Sequence, residues 1–142
     1  MDNEIGKTGY KVMLIDDTEV DAFISKRMLM NSNFSSEIIE FNSAEKALDY
    51  LTENKLNLAA LPQVIFLDIH MPAMDGFDFL EKFRLIEGEV HAFSKVVMLS
   101  TTNDEKDLSQ IKKYPNVLKF LTKPLKIDEL QALNLQIDAT IL

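Results

Sequence analysis

The sequence contains no cysteine and no tryptophan, and its only histidines are His70 and His91. Without cysteine there is no disulfide framework and no thiolate metal site, and the chain suits a reducing compartment. Two histidines are too few for a histidine-rich zinc centre. Positive charge is also scarce: 15 Lys and Arg face 23 Asp and Glu, a net charge of -8. A phosphate backbone needs a basic face, so this balance argues against nucleic acid as a direct partner. It equally disfavours an anionic membrane surface. No apolar run is long enough to span a bilayer, and the N-terminus lacks a signal-peptide core. The chain therefore reads as cytoplasmic, with no membrane insertion. Glycine and proline are few, at four each, and there is neither an internal repeat nor a low-complexity tract.

What is present is the composition of one ordinary globular domain of 142 residues, 46% hydrophobic and 27% charged. Met1 to Tyr10 is polar, contains Gly6 and Gly9, and reads as a flexible lead-in to a single domain over residues 11–142. From Lys11 onward, short apolar runs alternate with helical patterns. Strands are expected at Lys11–Ile15, Glu37–Phe41, Val64–Leu67, Lys95–Leu99 and Val117–Leu121. Helices are expected at Thr18–Asn31, from Ser43 through Leu51, at Phe77–Ile86, Asp104–Tyr114 and Asp128–Ile141. The predicted inner stripes are Val20, Ile24 and Met28 in the first helix, and Ala44, Ala47, Leu48 and Leu51 in the second. Phe79, Leu80 and Phe83 serve the third, Leu108 and Ile111 the fourth, and Leu130, Ile137 and Ile141 the last. Leu133, Leu135 and Leu142 lie beyond that last stripe, as a broader core face or an apolar surface. Glu87–Ser94 is a connection, and Lys55–Leu61 a loop with apolar anchors. Five strands alternating with five helices define an α/β fold, a doubly wound parallel sheet covered on both faces.

The strand ends carry the chemistry. Val64-Ile65-Phe66-Leu67 stops at Asp68, and Met71-Pro72 then turns the chain towards Asp75-Gly76. The first strand ends in Asp16-Asp17, the fourth in Ser100-Thr101-Thr102 and the fifth in Lys123-Pro124. In a parallel sheet these ends share one rim, where open α/β sheets hold ligands. Three carboxylates there repel one another and call for a cation, and oxygen-only donors suit Mg²⁺. A carboxylate beside Mg²⁺ and a lysine can attack an activated phosphorus and form an aspartyl-phosphate, and a strand-end hydroxyl can then bond the phosphoryl oxygens.

The segments LIDD at 14–17, FLDIHMPAMDG at 66–76, VVMLST at 96–101 and FLTKP at 120–124 closely resemble the receiver domain of bacterial two-component response regulators. The resemblance runs from about Lys11 to the C-terminus. Each motif alone is weak; four in order, each at an expected strand end, are specific. The resemblance implies the strand order 2-1-3-4-5, a flavodoxin-like arrangement. It makes Asp68 the phosphoacceptor, Asp17 a direct Mg²⁺ ligand and Asp16 its acidic neighbour. His70 stands where the family offers the metal a backbone carbonyl, which leaves its side chain at the pocket mouth. Lys123 matches the phosphate-pairing lysine, and Pro124 follows where the family has a cis bond. Ser100 matches the switch hydroxyl, with Thr101 as rival one residue on. Phe120 matches an aromatic position that turns inward on phosphorylation, and a plain core phenylalanine is the other reading.

Some positions depart from the commonest pattern. Lys119 replaces a frequent Gly, Thr101 a usual Ala, and His70 and Thr102 are variable in the family; these bear on phosphoryl lifetime. The chain stops soon after the fifth expected helix, so no output domain is expected. A single-domain regulator is implied, signalling through protein contact or passing phosphate along a relay. Its expected partners are a sensor histidine kinase or phosphotransfer protein, a downstream protein target, and a second copy in a weak homodimer. No enzymatic turnover is expected. The alternatives are a receiver-like binding module that is never phosphorylated and an aspartate-nucleophile phosphatase. The phosphatase needs two acids two residues apart after the first strand, whereas Asp16 and Asp17 are adjacent. A flavodoxin is disfavoured because Asp16-Asp17-Thr18-Glu19 would repel a flavin phosphate.

Overall fold

In a computed structural model, which describes residues 9–141, five strands form one parallel sheet of order β2-β1-β3-β4-β5. The strands are β1 (Tyr10–Ile15), β2 (Ser35–Phe41), β3 (Val64–Asp68), β4 (Lys95–Ser100) and β5 (Val117–Thr122). The five longer helices are α1 (Glu19–Asn31), α2 (Ala44–Glu53), α3 (Gly76–Phe83), α4 (Glu105–Ile111) and α5 (Ile127–Ile141). The order expected from the family resemblance is the order observed. No helix among the described residues is long and apolar enough to cross a membrane.

The apolar runs are continuous because both sheet faces are covered. Successive residues of β1 feed opposite cores. Met13 and Ile15 join Leu51, Ile65, Leu67, Phe79 and Phe83 beneath α2 and α3. Val12 and Leu14 join Leu29, Phe66, Leu99, Leu130, Leu133 and Ile137 beneath α1 and α5. The expected stripes of α2 and α3 are buried as read.

Several expectations need correction. Tyr10 is no part of a mobile lead-in: it is the first residue of β1 and 5% exposed. Its ring packs 5.4 Å from that of Phe34, and its hydroxyl donates to Asp138 on α5. The rest of that lead-in, before Gly9, lies outside the described residues. In α1 the inward residues are Ser25 and Leu29, while Val20 is 66% and Ile24 37% exposed. Only Met28 of the predicted stripe is half-buried against the core. The apolar residues of α1 outnumber those the sheet can cover, so spacing alone chose the wrong face. Thr18 occupies the N-cap position without a side-chain bond. In α4 the buried residue is Asp107, with Leu108 and Ile111 only half-buried. In α5 Leu133 belongs to the core, completing an i, i+3, i+7 stripe with Leu130 and Ile137. Leu135 points outward; Leu142 and the side chain of Ile141 lie outside the described residues. The Glu87–Ser94 connection contains a helical turn, Val90–Phe93, and the Lys55–Leu61 loop a 3-10 turn, Leu58–Ala60. α3 starts one residue early, at Gly76, and ends at Phe83 rather than Ile86.

Candidate phosphoryl-acceptor site

The parallel ladders bring the strand ends into line. β1 and β3 are neighbours, with Ile15 opposite Leu67, so Asp16 and Asp68 emerge side by side. Asp68 lies opposite Leu99 of β4, and Ser100 opposite Thr122 of β5. Lys123 follows directly, ahead of a cis peptide bond to Pro124. Its long stem carries the ammonium back across the rim, 2.9 Å from Asp16 Oδ2 and 3.4 Å from Asp68 Oδ2. The ammonium is also 3.0 Å from Asp21 Oδ2, in the first turn of α1.

Backbone donors fix the carboxylates. Thr18 N–H donates to Asp16 Oδ1 (2.9 Å), and His70 N–H donates to Asp68 Oδ1 (3.2 Å). Asp68 is 4% exposed and Asp16 3% exposed, while Asp17 is open to solvent. Burial pushes the Asp68 carboxyl up to about 6; the Lys123 ammonium opposes that rise, Asp16 adds to it, and the His70 N–H opposes it. The Lys123 ammonium is held above its usual range: burial acts against its charge, but bonds to Asp16 and Asp21 outweigh burial.

Carboxylate oxygens of Asp16, Asp17 and Asp68 lie within 4.8 Å of one another. The donor set is all oxygen, one member faces solvent, and the buried Asp68 carboxyl is poorly stabilised as an anion without a further cation. These features fit a hard divalent ion that keeps part of its water shell. Asp16 and Asp17 border a groove of about 480 Å³ that Glu19, Glu40 and Lys46 also line.

Gly76 lets α3 approach this rim. A Cβ there would sit 2.9 Å from Ile69 Cα and 3.0 Å from the Asp68 carbonyl oxygen. Asp75 caps the helix by accepting from Asp78 N–H (2.9 Å), and the Asp78 carboxylate accepts in turn from Asp75 N–H (3.1 Å). Ala73 carries the turn at φ 67°.

The other expected residues divide. Ser100 is fully buried, and its Oγ accepts from Thr102 N–H at 3.1 Å. Thr101 is exposed. Phe120 is half-buried against the core beneath α2 and α3, neither sealed in nor free. The His70 side chain is exposed and meets Asp107 of α4, with Nε2 3.0 Å from Oδ2. A carboxylate only accepts, so Nε2 carries the proton. Sequence reasoning missed both Asp21 and Asp107. A signal existed for Asp21, which lies in the first turn of the helix that directly follows the acidic end of β1. None existed for Asp107, which reads as an ordinary first-turn acid.

Acids and a lysine gathered at the rim of a parallel sheet are suited to binding a cation and an anionic group, and comparison with known proteins narrows the class. The family model for the response regulator receiver domain matches residues 12–134. The chain is 28% identical over 124 residues to sporulation initiation phosphotransferase F of Bacillus subtilis, covering 85% of this chain and 87% of the relative. It is 29% identical to a probable methanogenesis regulatory protein of Methanothrix harundinacea, over 84% of this chain and 76% of the relative. A receiver protein structure from Dyadobacter fermentans is 31% identical, with TM-score 0.76, covering 87% of this chain and 93% of that one. The chain belongs to the response regulator receiver domain family, the signalling modules of two-component systems that work by phosphorylation.

Proposed function

We propose that this receiver takes a phosphoryl group onto Asp68 from a sensor histidine kinase or phosphotransfer protein and signals by protein contact. The observation that carries the reading is the convergence of a buried Asp68, a lysine at 3.4 Å and two further carboxylates on one rim. An Asp68 oxygen attacks the phosphorus of a phosphohistidine. The P–N bond breaks as the new P–O bond forms, and the imidazole nitrogen keeps the bonding pair and takes up a proton. Lys123 supplies an ammonium for the transferring oxygens, and Asp16, Asp17 and Asp68, with the His70 carbonyl, would hold Mg²⁺. When bound, that ion neutralises charge on the phosphoryl group and lowers the mutual repulsion of the acids.

Ser100, whose hydroxyl is buried beside the strand end, is favoured over the exposed Thr101 as the group that bonds the new phosphoryl oxygens. A shift of Ser100 and Phe120 then reshapes the face of α4, β5 and α5 for a downstream target or a second copy of the chain. Val20, Phe23 and Ile24 leave an apolar, exposed patch on α1. It lies next to a groove lined by Asp21, Ile24, Thr101 and Lys123, where a phosphodonor protein would dock. The scarcity of basic residues and absence of cysteine fit a cytoplasmic protein that does not bind nucleic acid directly.

The test is intact-protein mass after incubation with acetyl phosphate, with and without Mg²⁺. The expected result is a phosphoryl adduct on wild type that needs Mg²⁺ and is absent from Asp68→Asn. An adduct that persists in that variant would place the acceptor elsewhere. Failure of wild type both to form the adduct and to bind beryllofluoride with Mg²⁺ would leave a binding module that is never phosphorylated.

A further inference from the structure

Lys123 is shared. An ammonium has three N–H donors, and three carboxylates surround this one: Asp16 at 2.9 Å, Asp21 at 3.0 Å and Asp68 at 3.4 Å. The longest of the three contacts is the one to Asp68. Asp16 has a second donor in Thr18 N–H and belongs to the cluster of acids that faces a metal. Asp21 stands outside that cluster, and Lys123 is its charged partner among the described residues. Its carboxylate therefore does one visible thing, which is to hold the lysine towards α1.

We propose that Asp21 is a positioning residue that restrains Lys123 and so weakens the hold of this receiver on a phosphoryl group at Asp68. Two effects act in the same direction. The Asp21 carboxylate competes with phosphoryl oxygens for the N–H groups of Lys123. It also places a fixed negative charge beside a site that becomes more negative when a carboxylate is replaced by an acyl phosphate. Asp21 is one-third exposed, so water moderates both effects. The inference rests on the reading of Asp68 as phosphoacceptor. It adds a determinant of phosphoryl lifetime that lies on α1, outside the strand-end motifs.

The experiment measures beryllofluoride affinity at saturating Mg²⁺ by calorimetry and fluorine NMR, alongside the half-life of the Asp68 phosphoryl adduct. Wild type is compared with Asp21→Asn, Asp21→Ala and Asp21→Glu. Both neutral variants are expected to bind beryllofluoride about twofold to fivefold more tightly and to hold phosphate longer. Asp21→Glu, which keeps the charge, is expected to stay near wild type. Damage to the fold would weaken binding, so tightening cannot come from a merely structural role. Two neutral variants guard against one failing to fold. Unchanged or weaker binding in both would overturn the inference, as would an Asp21→Glu as tight as Asp21→Asn. Wild type that neither binds beryllofluoride nor forms the adduct would instead remove the phosphoacceptor reading itself, and this inference with it.

Discussion

Asp68 is a carboxyl that the fold keeps under tension. Burial raises it from 3.8 to about 6 in the absence of a metal. The folded chain therefore binds that proton more tightly than the unfolded chain. Between about pH 4 and pH 6 the folded state holds more protons than the unfolded state, and stability falls as pH rises through that window. Metal-free Asp68→Asn escapes this loss. In excess chelator at pH 7 it is expected to be more stable than wild type by about 1–3 kcal/mol. Urea unfolding at pH 4 and pH 7 checks this, and a gap between variant and wild type that fails to widen with pH would contradict it. Gly76 makes a second residue-level case. A Cβ would meet the backbone of Ile69 and Asp68 at 2.9–3.0 Å. Gly76→Ala should therefore cost about 1–3 kcal/mol although alanine is the better helix former, and a melting temperature at or above wild type would refute it.

At the scale of elements, the His70–Asp107 bond ties the loop after β3 to α4. α4 is short, and its other core residues, Leu108 and Ile111, are only half-buried. A polar contact that begins two residues from Asp68 thus adds to the apolar packing that holds it in place. Asp107→Ala is expected to cost about 1 kcal/mol. Amide exchange should quicken over Glu105–Ile111 and the loop around Met71, and remain unchanged in α2. Hydrogen exchange by mass spectrometry reads this directly; uniform acceleration would mean global destabilisation instead. α1 teaches a related lesson. Its exposed Val20, Phe23 and Ile24 obey helical spacing as well as the buried Leu29 does. Periodicity cannot separate a face that packs on the sheet from one left free for a partner.

At the scale of the whole molecule, two cores sandwich the sheet, and the last helix closes the one shared with α1. Leu133 is 1% exposed there and Leu135 70%. Leu133→Ala should lose about 2–5 kcal/mol, and Leu135→Ala under about 0.5 kcal/mol. Equal losses in denaturant titrations would contradict the placement of α5. The same helix pins the start of β1, since Tyr10 donates to Asp138. An N-terminal residue that looks like part of a loose lead-in is thereby sealed by the far end of the chain.

The sequence by itself determined the class of fold, because apolar runs of strand length alternating with helical patterns leave few solutions besides a parallel sheet covered on both sides. It also put Asp16, Asp68, Ser100 and Lys123 at strand ends, because each run of β-prone side chains stops at one of them or one residue before it. Strand order, by contrast, came from resemblance rather than from periodicity. The tertiary structure alone decided which face of α1 is covered and that Leu133 joins the core. It also decided that Ser100 is buried while Thr101 is exposed, that Asp21 reaches Lys123, and that Asp107 reaches His70. These are contacts between segments distant along the chain, such as Asp21 with Lys123 and His70 with Asp107. Local sequence records the chemistry of each partner, but only the packing of helices on the twisted sheet sets the distance between them.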